Sequence, residues 1–281
     1  MYTALSRVKT LDGLYILNGF DKKHLKCDIR SLNEMTRLRR QNQFRLETPC
    51  AVSLPDTVFM KFTLLNISSL RFHFKCLQKD PWISQSHIIA HTETWLTNQD
   101  PSYKYTISSD YHMHRKDRSS ASPLHRGGVT VQIHTMFHVL VQFKIHTIFE
   151  NTTIIVQHRA NPQMKLLLIT LYNKPSNKFA DLDRLLCKLP TDALITILSG
   201  DFNVNVKKRD KQSDSLLKLV QDHGFLPTHN NVTHRAGGAL DHIYINKDII
   251  NNSFISTVPL HYSDHFATTL SITSCCFKLF P

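Results

Sequence analysis

The stretch from Leu194 to Asn205, Leu-Ile-Thr-Ile-Leu-Ser-Gly-Asp-Phe-Asn-Val-Asn, constrains this chain more than any other. Its apolar run, rich in β-branched residues, reads as a buried strand. The run stops at Gly200, and Asp201 and Asn203 follow on alternate positions. Side chains two residues apart share one face of a strand. A buried strand therefore delivers a carboxylate and an amide, side by side, to the mouth of a sheet. Such a pair suits the orientation of a water: the carboxylate accepts its proton and the amide fixes a neighbouring oxygen. Taken alone, Gly-Asp-x-Asn is also the end of a strand in a polar turn.

Two other stretches place charge in apolar surroundings. Ala239-Leu-Asp241-His-Ile-Tyr-Ile245 carries a carboxylate inside an apolar strand. A buried Asp is costly unless paired, and His is its natural partner. His261-Tyr-Ser-Asp264-His265 supplies such a His and leads into the alternating strand Phe266 to Ile272.

In this order, Gly-Asp-Phe-Asn, Leu-Asp-His-Ile-Tyr and Ser-Asp-His resemble the endonuclease/exonuclease/phosphatase superfamily, which includes DNase I, abasic-site endonucleases and the endonucleases of non-LTR retrotransposons. Gly127-Gly128-Val129 and the pair Thr233-His234 are similar to the retrotransposon branch. The resemblance implies a domain over residues 58–275. Alternating strands and helices with two apolar sheet faces predict the matching α/β fold. It is a four-layer α/β/β/α sandwich of two packed, mostly antiparallel sheets flanked by helices, with a short N-terminal appendage.

The resemblance also implies roles. Glu93, after the apolar Ile88-Ile-Ala90, would ligate Mg²⁺ or Mn²⁺, an ion that favours one or two carboxylates plus waters. Asn66, ending the strand Val58 to Leu65, would orient that Glu and touch the metal and the scissile phosphate. Asp201 would take the proton of the attacking water, with Asn203 placing it. Asp241 would hold His265 in one tautomer, and His265 would stabilise the phosphate charge. Asp264 would assist the metal or the water, and Tyr172 would donate to the phosphate. Two positions depart from the family: Ser68, where an acid or amide is common, and Asn173-Lys174, where a small residue or Arg is common.

Further elements follow from periodicity. Strands are expected at Asn151–His158 and Lys165–Leu171 and helices at Phe179–Leu189 and Ser213–His223, the latter with Ser213 as a possible cap and Gly224 as its stop. Residues 98–126 read as a long polar loop whose Arg115, Lys116, Arg118 and Arg126 could meet phosphates or simply be solvated. The histidines between His134 and His146 read as core and surface residues.

Residues 1–45 lie outside this pattern. Tyr2-Thr-Ala-Leu-Ser-Arg-Val-Lys-Thr-Leu-Asp-Gly-Leu-Tyr-Ile-Leu resembles the last conserved motif of Pif-type helicases, carried by Helitron transposons. There Arg7 would reach a nucleotide γ-phosphate. The G-x-x-x-x-G-K-[ST] loop needed to cradle that phosphate is absent from the sequence, so a helicase remnant without productive ATP binding is expected. Residues 28–41 read as an amphipathic helix and residues 46–57 as a linker.

Charge bears on the partner. The 34 Lys and Arg exceed the 22 Asp and Glu by twelve, with a pI near 9.5. That favours a polyanion, most simply nucleic acid, and together with the Thr-Glu-Thr-Trp-Leu and Gly-Gly-Val resemblance it favours DNA as the partner. The six Cys form no C-x-x-C pair and read as free thiols. No apolar run reaches membrane-spanning length, and the N-terminus has no signal-peptide core, so an intracellular and nuclear protein with no membrane contact is expected. The overall reading is a metal-dependent endonuclease derived from a transposon. Two alternatives remain at this level: an inactive nucleic-acid-binding relic, and an inositol-phosphate or lipid phosphodiesterase.

Overall fold

A computed structural model describes residues 58–118, 126–174, 179–190 and 195–273. The helicase-like segment with Arg7, the helix over 28–41 and the linker over 46–57 lie outside these residues. The chain divides into units of residues 1–56 and 57–281, and the described residues lie in the second.

In chain order the strands are β1 (Val58–Asn66), β2 (Ile88–Thr92), β3 (Tyr111–Lys116), β4 (Val129–His134), β5 (Phe137–Phe143) and β6 (Glu150–His158). They continue as β7 (Asn161–Tyr172), β8 (Ile195–Asp201), β9 (Phe225–Pro227), β10 (Asp241–Asn246), β11 (Ser253–Pro259) and β12 (Phe266–Thr273). The helices are α1 (Leu70–Lys79), α2 (Pro81–Ser84), α3 (Ala180–Leu186) and α4 (Lys211–Asp222). One six-stranded sheet has the order β11-β12-β1-β2-β4-β3 and the other β5-β6-β7-β8-β10-β9. Each holds a single parallel pair, β1 with β2 and β7 with β8, joined by a helical crossover. The other pairs are antiparallel.

Alternation along the strands builds the layers. Phe62, Leu64, Leu166, Leu168, Ile197 and Ile243 point between the sheets and form one core. The odd-numbered Leu167 and Ile169 turn outward onto α3 and α4, packing with Leu182, Leu185, Leu216 and Val220. Leu65 and Ile89 turn outward from the other sheet onto Leu70, Leu77 and Ile83 of α1 and α2. The result is a helix/sheet/sheet/helix sandwich, as the sequence pattern predicts. Each fully buried Leu or Ile contributes about 1.5–3 kcal/mol to it.

The inward-facing stripe changes character toward one end. On β8, Ile195 and Ile197 give way to Ser199 and then Asp201. On β7, Leu166 and Leu168 give way to Thr170 and Tyr172, and on β1, Phe62 and Leu64 give way to Asn66. All of these are buried. A middle rung of hydroxyls links the sheet, with Thr170 Oγ1 and Ser199 Oγ 3.1 Å apart. Register then aligns the ends, because Tyr172 pairs with Asp201, Asp201 with Asp241, and Asn66 with Thr92.

Two local expectations change, and one helix is added. Residues 98–126 are not one long loop: Ser102–Tyr105 is a 3-10 turn and β3 is an edge strand paired along β4. Its polar side chains hide it, since only one face of an edge strand is covered. Asp210, not Ser213, caps α4. Its carboxylate accepts from the Gln212 and Ser213 N–H groups, and Ser213 Oγ accepts the Asp210 N–H in return. Between Asn66, where the strand ends as read from sequence, and Ile88, the sequence reading assigns no helix, yet α1 forms with Leu70 and Leu77 buried two turns apart on one face.

Gly200 is irreplaceable on geometric grounds. Its φ is +150°, and a Cβ there would lie 1.9 Å from the Leu171 carbonyl oxygen. Gly200→Ala is expected to destabilise the domain by about 3 kcal/mol, through overpacking and strain at the parallel β7–β8 junction. A urea-unfolding midpoint unchanged from wild type would contradict this.

Candidate active site

The polar ends of the strands converge at one edge, and two hydrogen bonds cross between the sheets there. Asn66 Nδ2, on β1, donates to Asp201 Oδ2, on β8, at 2.9 Å. The Asp241 carboxylate, on β10, accepts from Nδ1 of His265, just before β12, with Oδ2 at 2.6 Å. Asn66 Nδ2 also donates to Glu93 Oε1 at 3.2 Å. One amide thus serves two carboxylates.

Glu93 follows β2 in a left-handed conformation, φ +50°. The indole N–H of Trp95 donates to its Oε2 at 3.2 Å. Glu93, Asp264 and His265 line a cavity of about 550 Å³ that also holds Ser68, Arg126 and Arg235. Arg126 lies over the Trp95 ring, 5.5 Å from its centroid.

Asp201 and Asn203 do come together, but not by strand alternation. The strand ends at Asp201, and Asn203 adopts a left-handed turn, φ +52°. Asn tolerates that conformation better than most residues. The Asn203 N–H donates to Asp201 Oδ1 at 2.9 Å, and its Nδ2 donates to the Asn173 carbonyl at 2.6 Å. Asn203 therefore ties Asp201 to the end of β7. Asn173, the departure from the family pattern, is buried and donates to the Phe202 carbonyl at 2.9 Å.

Asp264 is the most exposed of the group. It accepts from Ser68 Oγ at 3.1 Å and lies 3.5 Å from His234 Nε2. Ser68, the other departure, thus contacts a motif carboxylate, while its N–H donates to Asn66 Oδ1 at 3.1 Å. That bond leaves Asn66 presenting nitrogen, not oxygen, to Glu93.

Electrostatics follow from burial. Burial and then the neighbouring Asp241 push the Asp201 pKa up, against the pull of His265 and the Asn203 and Asn66 donors. Burial opposes charge on His265, but Asp241, Asp201 and Asp264 lift its pKa to about 9. Burial, Glu93 and Asp201 raise the Tyr172 hydroxyl well above the usual tyrosine range, so it stays protonated.

Some residues take roles that the sequence reading does not assign to them. Ser263 Oγ donates to the Asn66 carbonyl at 2.7 Å and accepts the His265 N–H, joining β1 to the catalytic histidine candidate. Thr233 Oγ1 accepts the Leu240 and Asp241 N–H groups. Arg118 grips Glu150 through two hydrogen bonds and lies over the Tyr172 ring. Arg115 donates to the Asp100 and Thr97 carbonyls and pairs with Asp117. Of the loop cations expected to meet phosphates, these two are engaged within the protein. Ser263 adjoins Asp264 in the motif, but no local signal points to the partners of Arg118, which are distant in sequence.

The donor set suits a hard divalent cation. Glu93, Asp201, Asp241 and Asp264 share one edge with a single tightly paired His265. Each Glu93 oxygen accepts one N–H, and the Tyr172 hydroxyl also bonds this carboxylate, which still leaves part of its about four lone-pair sites for an ion. Two clusters of possible ligand atoms occur here, Asp201–Asp241–His265 and His234–Asp264–His265. The first is already closed by the His265–Asp241 bond, so Glu93 at the cavity wall is the better anchor for an ion.

No family model and no curated protein matches the sequence. Solved structures match the fold. The endonuclease domain of TRAS1, a telomere-specific non-LTR retrotransposon, superposes with a TM-score of 0.61 at 12% identity, over 76% of this chain and 98% of that one. An AP endonuclease from Archaeoglobus fulgidus gives 0.59 at 14%, over 76% and 99%. The 3′ phosphatase NExo from Neisseria, bound to a product DNA hairpin, gives 0.58 at 14%, over 76% and 99%. The fold is the DNase I-like α/β sandwich. In this DNase I-like chain the polar edge lies at the C-terminal ends of both parallel pairs, where side chains from two sheets converge.

The His265–Asp241 pair has a signed pH signature. A folded-state pKa raised from 6.5 to about 9 gives stability that is complete below 6.5 and lost as pH rises through about 9. Urea midpoints of wild type and His265→Asn are expected to differ at acidic to neutral pH and to converge above that range. A difference that grows with rising pH would contradict the pairing.

Proposed function

We propose that this protein is a divalent-metal-dependent phosphodiesterase, a transposon-derived endonuclease that nicks DNA. The observation that carries this reading is the set of Glu93, Asn66 and Asp201 bonded across the two sheets, beside the Asp241–His265 pair. A net charge of +12 supports a polyanionic partner, as does a cavity wall with Arg126 and Arg235. The names of the fold neighbours, a retrotransposon endonuclease domain and an AP endonuclease, favour DNA. A nuclear location follows from such a substrate. Among the described residues no helix is long and apolar enough to cross a membrane.

In this mechanism, Glu93 would hold Mg²⁺ or Mn²⁺, with Asn66 fixing its carboxylate and Asp264 nearby to assist. When bound, such a cation would supply neutralisation of the charge that develops in phosphodiester cleavage. Asp201, held at both oxygens by Asn66 and the Asn203 N–H, takes the proton of the attacking water. The burial that raises its pKa makes it a stronger acceptor once ionised, and the neighbouring His265 cation favours ionisation. His265, its Nδ1 tied to Asp241, stays positive at neutral pH and stabilises charge on the phosphate. Tyr172, kept protonated, donates to the same phosphate.

Nicking of supercoiled plasmid tests the reading. Relaxed circles are expected with Mg²⁺ and not with EDTA. Asp201→Ala and His265→Ala are each expected to lose roughly 10²- to 10⁴-fold in rate. Losses below about tenfold for both would remove this mechanism. Intact plasmid with a mobility shift would show a binding relic, and intact plasmid without one would redirect the search to small phosphoesters.

A further inference from the structure

A second cluster of ligand side chains lies on the helical layer, outside the active site. Asp183 on α3, Cys187 at its C-terminal cap and His223 at the C-terminal cap of α4 place one carboxylate oxygen, one sulfur and one ring nitrogen within 4.8 Å of one another. The four-residue spacing of Asp183 and Cys187 puts both on one helical face. The Cys187 N–H bonds back to the Asp183 carbonyl, which holds that turn together. His223 Nε2 is 2.8 Å from Asp183 Oδ1. Arg184, the neighbouring cation, is committed to Asp181 and leaves Asp183 to His223. Cys187 is an exposed free thiol.

We propose that Asp183, Cys187 and His223 form a zinc site that clamps α3 to α4, with water as the fourth ligand. The donor set selects the ion. Thiolate, imidazole and carboxylate suit the borderline-soft Zn²⁺ in a tetrahedron, with bonds of about 2.0–2.3 Å. Mg²⁺ does not take thiolate, so this site and the all-oxygen Glu93 anchor discriminate between ions. The present spacing needs only a small closing motion, and the side chains are partly or fully exposed, so no core packing resists it. The ion would displace the thiol proton and replace the Asp183–His223 hydrogen bond with two metal bonds. The consequence is mechanical. α3 and α4 cover the outer face of the sheet that carries Asp201 and Asp241, through Leu182, Leu185, Leu216 and Val220 against Leu198 and Phe202. A cross-link between the helix ends would hold that cover in place.

Cobalt substitution of the full, reduced, chelator-treated chain tests this. Co²⁺ is expected to give tetrahedral visible bands and a near-ultraviolet thiolate charge-transfer band at one equivalent, both displaced by Zn²⁺. Cys187→Ser is expected to abolish the charge-transfer band. His223→Ala and Asp183→Asn are each expected to weaken Zn²⁺ binding by about tenfold or more. Glu93→Gln is expected to leave the band intact, which separates this site from the active site. A wild-type chain without the band, or a band that survives Cys187→Ser, would overturn the proposal and leave a simple Asp–His pair beside a thiol. A raised unfolding temperature with Zn²⁺ in wild type and not in Cys187→Ser gives an independent readout that does not depend on nuclease activity.

Discussion

The amide of Asn66 is the contact on which the active edge depends. It is rooted in one sheet and donates to Asp201 in the other, while the same nitrogen holds Glu93. Two carboxylates brought together in a buried place repel one another, and neither is stable there without a donor. A neutral amide between them satisfies both without adding charge. The Asp241–His265 pair crosses the same interface in the opposite sense, with the acid on the second sheet and the histidine on the first. The sandwich is therefore joined at this end by polar bonds and elsewhere by hydrocarbon. Ser263 couples the two, because its hydroxyl binds both the Asn66 carbonyl and the His265 N–H.

Such an edge forms because the inward stripe is graded. The hydrocarbon of Phe62, Leu166 and Ile197 excludes water and packs the sheets. Thr170 and Ser199 follow, small enough to stay buried and able to bond each other. Only then do Tyr172 and Asp201 emerge. Charge thus sits at the margin of the core, where burial is deep enough to shift its pKa. Gly200 permits this at its tightest point, where β8 passes the Leu171 carbonyl with no room for a side chain.

The outer layers do different work. α1 and α2 bridge β1 to β2, and α3 bridges β7 to β8, so both parallel pairs are closed by helices. The helices bury the outward faces of the strands that carry Asn66, Tyr172 and Asp201. Arg118 reaches across to Glu150 and stacks on Tyr172, restraining a ring whose hydroxyl belongs to the site. Among the described basic residues, Arg126, over Trp95, and Arg235, bonded to the Leu260 carbonyl, line the cavity.

The sequence by itself determined the strands that carry chemistry and the order of their polar ends. Period-two alternation is local, so Asp201 after an apolar run and Asp241 within one are legible without a structure. The two-sided burial of those strands likewise implied a helix-covered sandwich. Only the tertiary structure decided how the ends meet. Asn203 reaches Asp201 through a left-handed turn, a backbone state that alternation does not encode. Asp210 outcompetes Ser213 for the cap of α4 because the reciprocal bonds form only when the helix starts one turn earlier. Arg115 and Arg118 read as free loop cations, yet their partners Thr97 and Glu150 become neighbours only after folding. Pairing across long separations depends on where the chain returns, and no local pattern of residues carries that information.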